Sequence, residues 1–104
     1  MSLSNVFVHH VFFWLNNPDS IEDREKLIAG LKKLSAAGMI KESHIGLPAG
    51  TNRDVIENSY SVSWLTLFDN AAAQDAYQAA PIHLEFVATC SSLWSKVLVY
   101  DSVA

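Results

Sequence analysis

Four histidines, a tyrosine close to a proline and a lone cysteine are the side chains of this 104-residue chain best suited to proton or nucleophile chemistry. His83 stands out among them. It follows Pro81 by two residues, within a turn or two of Tyr77, in the segment AYQAAPIHLEFVATC (76–90). A proline is tolerated in the first turn of a helix. On the helix that Pro81 opens, His83, Phe86, Val87, Cys90 and Trp94 fall at i, i+3, i+4, i+7 and i+11, one inward stripe. A half-buried imidazole titrates near neutral pH and serves as a general base or acid. A tyrosine hydroxyl beside it can hold a carbonyl or phenol oxygen and stabilise a developing enolate. The residues alone leave a second reading open. In it His83 donates to a backbone carbonyl and packs its helix on a sheet, and Tyr77 is only the apolar edge of a helix.

Two more imidazoles lie in VFVHHVFFWL (6–15), a strand apolar on both sides. Side chains of a strand alternate between its faces. Val6, Val8, His10, Phe12 and Trp14 therefore point one way, and Phe7, His9, Val11, Phe13 and Leu15 the other. His10 is expected to add a polar point to a pocket lined by Phe12, Trp14, Val62 and Trp64, with Phe86 contributing from its helix. A satisfied core histidine is the alternative. His9 reads as structural and His44, near a strand end, as exposed. Cys90 has no basic neighbour in sequence and reads as inert packing. The acidic residues are too dispersed for a metal cage and no Cys/His spacing suits zinc, so no metal is expected.

The elements that must position these groups follow from patterning. NNPD (16–19) is a turn cluster, and Asp19 or Ser20 caps a helix carrying Glu22, Asp23 and Glu25 early and Lys32 and Lys33 late, as the helix dipole favours. Leu27, Ile28, Leu31 and Leu34 are its stripe. MIKESHIGL (39–47) reads as a second strand. A loop of about ten residues, longer than a hairpin needs, leads to SYSVSWLTLF (59–68). There Tyr60, Val62, Trp64, Thr66 and Phe68 share one face, and Ser61, Ser63, Leu65 and Leu67 the other. Asp69 or Asn70 then caps the helix AAAQDAYQAA (71–80), the Pro81 helix follows, and SKVLVYDS (95–102) closes the chain as a strand. The order β-α-β-β-α-β predicts an α+β, ferredoxin-like sheet of four antiparallel strands in one domain over residues 1–104.

Half of the residues are apolar, 17% are charged and the net charge is −4. That balance argues against a nucleic-acid or anionic-membrane surface, which needs clustered Lys and Arg. MSLSNV lacks the pattern of an export signal, and one cysteine makes no internal disulfide, so a cytoplasmic protein is expected. Two helical regions blanket only one face of a four-stranded sheet. The other face carries large apolar groups from the first strand and, on this reading, Tyr60, Val62, Trp64 and Phe68 from the third. Burying one such side chain is worth about 1.5–3 kcal/mol. A second copy of the chain is the expected cover, since most soluble oligomers are closed homodimers.

HHVFFWL (9–15), HIGLPAGTNRDVIENSYSVSWLTLFDN (44–70) and AYQAAPIHLEFVATCSSLWSKVLVYDS (76–102) resemble the stress-responsive dimeric α/β-barrel domain family. The most specific parts are Pro-x-His-x-x-Phe at 81–86 and Trp-x-Lys-Val…Tyr-Asp at 94–101. The resemblance implies a homodimer of ferredoxin-like units forming a barrel. Most members have no established activity. One plant branch comprises polyketide cyclases that perform an aldol condensation without a cofactor. Its acting pair is a tyrosine four residues before the proline and a histidine two after it, here Tyr77 and His83; a first-strand histidine of the same pocket matches His10. Ala80 stands where many relatives have histidine, and Trp14 and Asn16 where the plant branch has lysines. The loop after His44 is similar to that of bacterial members. Three readings are therefore implied. One is a bacterial-type, cofactor-independent cyclase- or lyase-like enzyme doing acid–base chemistry on a small apolar carbonyl or polyketide-like compound, with no cofactor expected. The second is a non-catalytic homodimer that binds a hydrophobic ligand or serves a structural stress role. The third is a cofactor-free monooxygenase of a related dimeric barrel.

Overall fold

A computed structural model describes residues 3–104. The chain runs β1 (Phe7–Leu15), α1 (Ile21–Ser35), β2 (Glu42–Gly46), β3 (Val62–Phe68), α2 (Ala71–Ala79), α3 (Pro81–Cys90), a 3-10 turn (Ser91–Leu93) and β4 (Trp94–Val103). All strand pairings are antiparallel, in the order β2-β3-β1-β4. This is the expected ferredoxin-like arrangement. The second strand is shorter than the sequence pattern, because residues 39–41 form the approach to it instead.

The helix ends are written in the sequence. Ser20 Oγ accepts the Asp23 amide at 3.1 Å to start α1, and Asn70 Oδ1 accepts the Ala73 amide at 2.9 Å to start α2, each satisfying a donor that a helix leaves unpaired. Pro81 disfavours the helical conformation at the residue before it. Ala80 is accordingly extended, with φ −70° and ψ 144°, and breaks the helical run into α2 and α3.

Both helical regions cover the same side of the sheet. Leu27, Leu31 and Leu34 of α1 and Phe86 and Cys90 of α3 pack with Val11, Phe13 and Leu15 of β1. Gly30 lets the helices close on one another: a Cβ there would meet the Cys90 Sγ at 3.0 Å and the Phe86 ring at 3.1 Å. No helix among the described residues is long and apolar enough to cross a membrane.

One expectation is overturned by the register. Val11 sits opposite Trp64 and Phe13 opposite Val62, and antiparallel partners share a face. Val62 and Trp64 therefore lie under the helices, 0% and 3% exposed, with Thr66 and Phe68. The face away from the helices receives Ser63, Leu65 and Leu67 from β3, beside Val8, His10, Phe12 and Trp14 of β1. A strand apolar on both sides carries no parity signal of its own, so its partner's face could not be read from it. The open face is still rich in large side chains. Phe12 meets the rings of Tyr60 and Tyr100 at 5.1 and 6.0 Å, and Tyr100 is 61% exposed.

Leu31, fully buried at the centre of the helix–sheet core, tests this layering. Leu31→Ala is expected to lower unfolding free energy by about 2–5 kcal/mol, read from urea denaturation followed by circular dichroism.

Candidate active site

The break at Ala80–Pro81 creates the contact between the two residues that the sequence singles out. Tyr77 lies in the last turn of α2 and His83 in the first turn of α3. The bend folds one against the other, with ring centroids 4.8 Å apart. Tyr77 is also held by Phe68, at 5.3 Å, and Trp64, at 6.4 Å. Its side chain is almost wholly enclosed, and its hydroxyl has no hydrogen-bond partner among the described residues. Burial pushes the phenol pKa well above its ordinary value, so Tyr77 keeps its proton and can donate it in a hydrogen bond.

The His83 Nδ1 lies 3.1 Å from the Gln78 carbonyl oxygen. A carbonyl only accepts, so Nδ1 donates and Nε2 carries the free lone pair. The packing reading of His83 thus describes one ring nitrogen and leaves the other available as a base. Desolvation, with the neighbouring His9 as a smaller cause, holds the imidazole pKa below 6.5, against the opposing effect of the Gln78 bond. The ring is neutral at physiological pH.

The two first-strand histidines go to opposite sides. His9 is on the helix side, buried, with Nδ1 donating to Asp101 Oδ1 across 2.6 Å. His10 is on the open face, stacked on Phe12 at 4.3 Å and sharing a 2.8 Å hydrogen bond with Ser63 Oγ. The structure therefore brings Tyr77, His83 and His9 to one side of the sheet, and leaves His10, Phe12 and Trp14 on the other. The expected single lining of Phe12, Trp14, Val62 and Trp64 is divided in the same way. The proximity of His9 and Asp101 escaped the sequence reading. Their shared parity was the available signal: His9 alternates with Val11 and Phe13, and Asp101 with Val97 and Val99, directly across the β1–β4 ladder.

Two hollows open elsewhere. One, of about 140 Å³, lies between α1 and α3 against Gly30, Leu34, Ile82, Phe86 and Cys90; the other, of about 220 Å³, lies beside Phe7, Asn70 and Val103. Neither is lined by Tyr77 or His83, and Phe86 faces the first. Cys90 is buried, and desolvation raises its thiol pKa, as inert packing requires. His44 is exposed. Among the described residues no cluster of three His, Cys, Asp or Glu side chains is placed to hold a metal ion.

Comparison with known proteins agrees with this architecture. A family model described as the stress responsive A/B barrel domain matches residues 7–104. A hydroxynitrile lyase from Passiflora edulis is similar in structure, with a TM-score of 0.81 at 19% identity, over 98% of this chain and 95% of that one. A Dabb family protein with a ferredoxin-like fold from Mesorhizobium loti has a TM-score of 0.78 at 23% identity, over 95% and 96%. A dimeric ferredoxin-like protein of unknown function from Thermobifida fusca has a TM-score of 0.77 at 19% identity, over 100% and 95%. Among curated proteins, none matches the chain.

A buried hydroxyl without a partner costs about 1–3 kcal/mol. Tyr77→Phe removes it with little change of shape, so the variant is expected to be folded and more stable than the parent by about 1 kcal/mol, measured by urea or thermal unfolding. A loss of stability would show that the hydroxyl is satisfied within the chain.

Proposed function

The chain belongs to the stress responsive A/B barrel domain family, and from that premise we propose that it is an enzyme of proton transfer acting on a small apolar carbonyl compound. His83 Nε2 takes a proton from the carbon next to the carbonyl, and the Tyr77 hydroxyl donates a hydrogen bond to the oxygen as it becomes an enolate. His9, fixed by Asp101, stands on the same side of the sheet as this pair. The observation that carries the reading is the buried, unpartnered Tyr77 hydroxyl beside an imidazole whose Nε2 is free. A protein keeps an unsatisfied hydroxyl at a cost in stability, and an oxygen supplied by a substrate would satisfy it. The hydroxynitrile lyase among the structural neighbours supports only that the fold accommodates catalysis. A second reading has one observation in its favour. Neither hollow reaches Tyr77, as a non-catalytic ligand-binding dimer would allow.

The dimer is part of the same proposal. Val8, Phe12, Trp14, Leu98 and Tyr100 share a face that no helix of the described residues covers, and a second copy laid on that face would shelter it. The structural neighbours described as dimeric support this reading.

Two measurements test the proposal. Exchange of the α-proton of small ketones and 1,3-diketones with deuterium, followed by NMR, is expected to be catalysed. His83→Ala should slow it by about 10²–10⁴-fold and Tyr77→Phe by about 10²–10³-fold. The rate should be flat at neutral pH and fall on acidification only once the pH drops below 6.5, because the depressed pKa keeps His83 in its base form until then. Exchange that survives both substitutions would sink the assignment. Sedimentation at micromolar concentration should give a dimer; a stable folded monomer there would contradict the covered sheet.

A further inference from the structure

The open face has an electrostatic feature that the acid–base reading does not use. Across the sheet, one row of paired residues runs His44 (β2), Leu65 (β3), His10 (β1), Tyr100 (β4). Two imidazoles therefore stand on a face that also carries Phe12, Trp14, Leu65 and Tyr100, and His10 is in its interior. Its ring is stacked on Phe12 and tied to Ser63. No carboxylate stands in this row. In the next row Glu42 is at the β2 edge, two strands from His10 and opposite Leu67. Lys96 lies over the Trp14 ring at 4.5 Å. Glu57, on the loop, is engaged by the Ser59 amide and hydroxyl. The loop's Tyr60 packs on Phe12, and Tyr100 is the remaining titratable neighbour. A proton added to His10 would find no counter-charge beside it among the described residues.

We propose that this row makes association of two copies pH-sensitive, the pair holding at neutral pH and separating in mild acid. The inference rests on the dimer reading above, in which a second copy covers this face. Covering the row removes water from His10, which has no acid beside it to pair with, and that disfavours its charged form. Desolvation and the nearby His44 already hold His10 below its ordinary pKa in the single chain. The sign follows by linkage. Free chains take up protons at a higher pH than the pair does, so the pair is favoured above the free-chain pKa and weakened as pH falls below it. That pKa is itself under 6.5, which sets the window. His10 occurs once per copy, so two protons are coupled to each separation event.

Sedimentation equilibrium between about pH 7.5 and 5, with circular dichroism at each step, tests this directly. The dissociation constant should rise by about tenfold or more across that range, and the separated chains should remain folded. His10→Gln, which keeps a partner for Ser63 but does not titrate, should remove most of the rise. His44→Gln should reduce it less. A dissociation constant indifferent to pH in the unaltered protein overturns the inference and leaves the dimer standing. So does a rise that survives His10→Gln, or separation that accompanies unfolding. A chain already monomeric at pH 7.5 overturns the dimer reading together with the inference.

Discussion

Strand β1 is hydrogen-bonded on both sides, to β3 and to β4, and this central position decides everything about its side chains. A residue there has only two environments available, and its parity chooses between them. Odd positions enter the layer of α1, α2 and α3; even positions enter the face that no helix reaches. The adjacent histidines show how sharp the division is. His9 ends hydrogen-bonded to Asp101 on the helix side, while His10 ends stacked on Phe12 on the other. A slip of one residue in the register would exchange their chemistry without changing the composition.

The second determinant is the proline. Without Pro81, the helical pattern of 71–90 would run on as one rod, and residues six apart, such as Tyr77 and His83, would be far from facing each other on it. The extended residue at 80 turns the chain and brings the rings into edge contact. The same turn exposes the Gln78 carbonyl to His83 Nδ1, which selects the tautomer. Local backbone chemistry thus sets both the distance and the protonation pattern of the pair. Thr66 supplies a further fixed point by donating to the His9 carbonyl at 2.5 Å, holding β1 and β3 in step beneath Tyr77.

Much of this was legible in the sequence, for identifiable reasons. Caps at Ser20 and Asn70, the proline-opened helix and the leucine stripe of α1 are local signals, and each element appears where those signals place it. The faces of β3 were not legible. Tyr60, Val62, Trp64 and Phe68 look like the residues that most need a cover, yet Val62, Trp64 and Phe68 already have one in the helices. Only the pairing with β1, a long-range fact, could say so. The first-strand imidazole that the resemblance implies, His10, lies on the open face, and His9 shares the side of Tyr77 and His83.

The departure at Ala80 bears on how far the resemblance to relatives with histidine at that position can be carried. Alanine is a poor helix cap, and replacing a capping side chain by it costs about 1 kcal/mol where the first-turn donors are left unpaired. Here they are not all left so. The amides of His83 and Leu84 both reach the Ala80 carbonyl, at 3.0 and 3.1 Å, and the Ala80 amide returns to the Tyr77 carbonyl at 3.1 Å. The backbone of the turn closes on itself across Tyr77, Ala80 and His83, with no side chain at position 80 taking part. The geometry of the tyrosine–histidine pair is therefore independent of a histidine at that position, and depends on the proline that follows it.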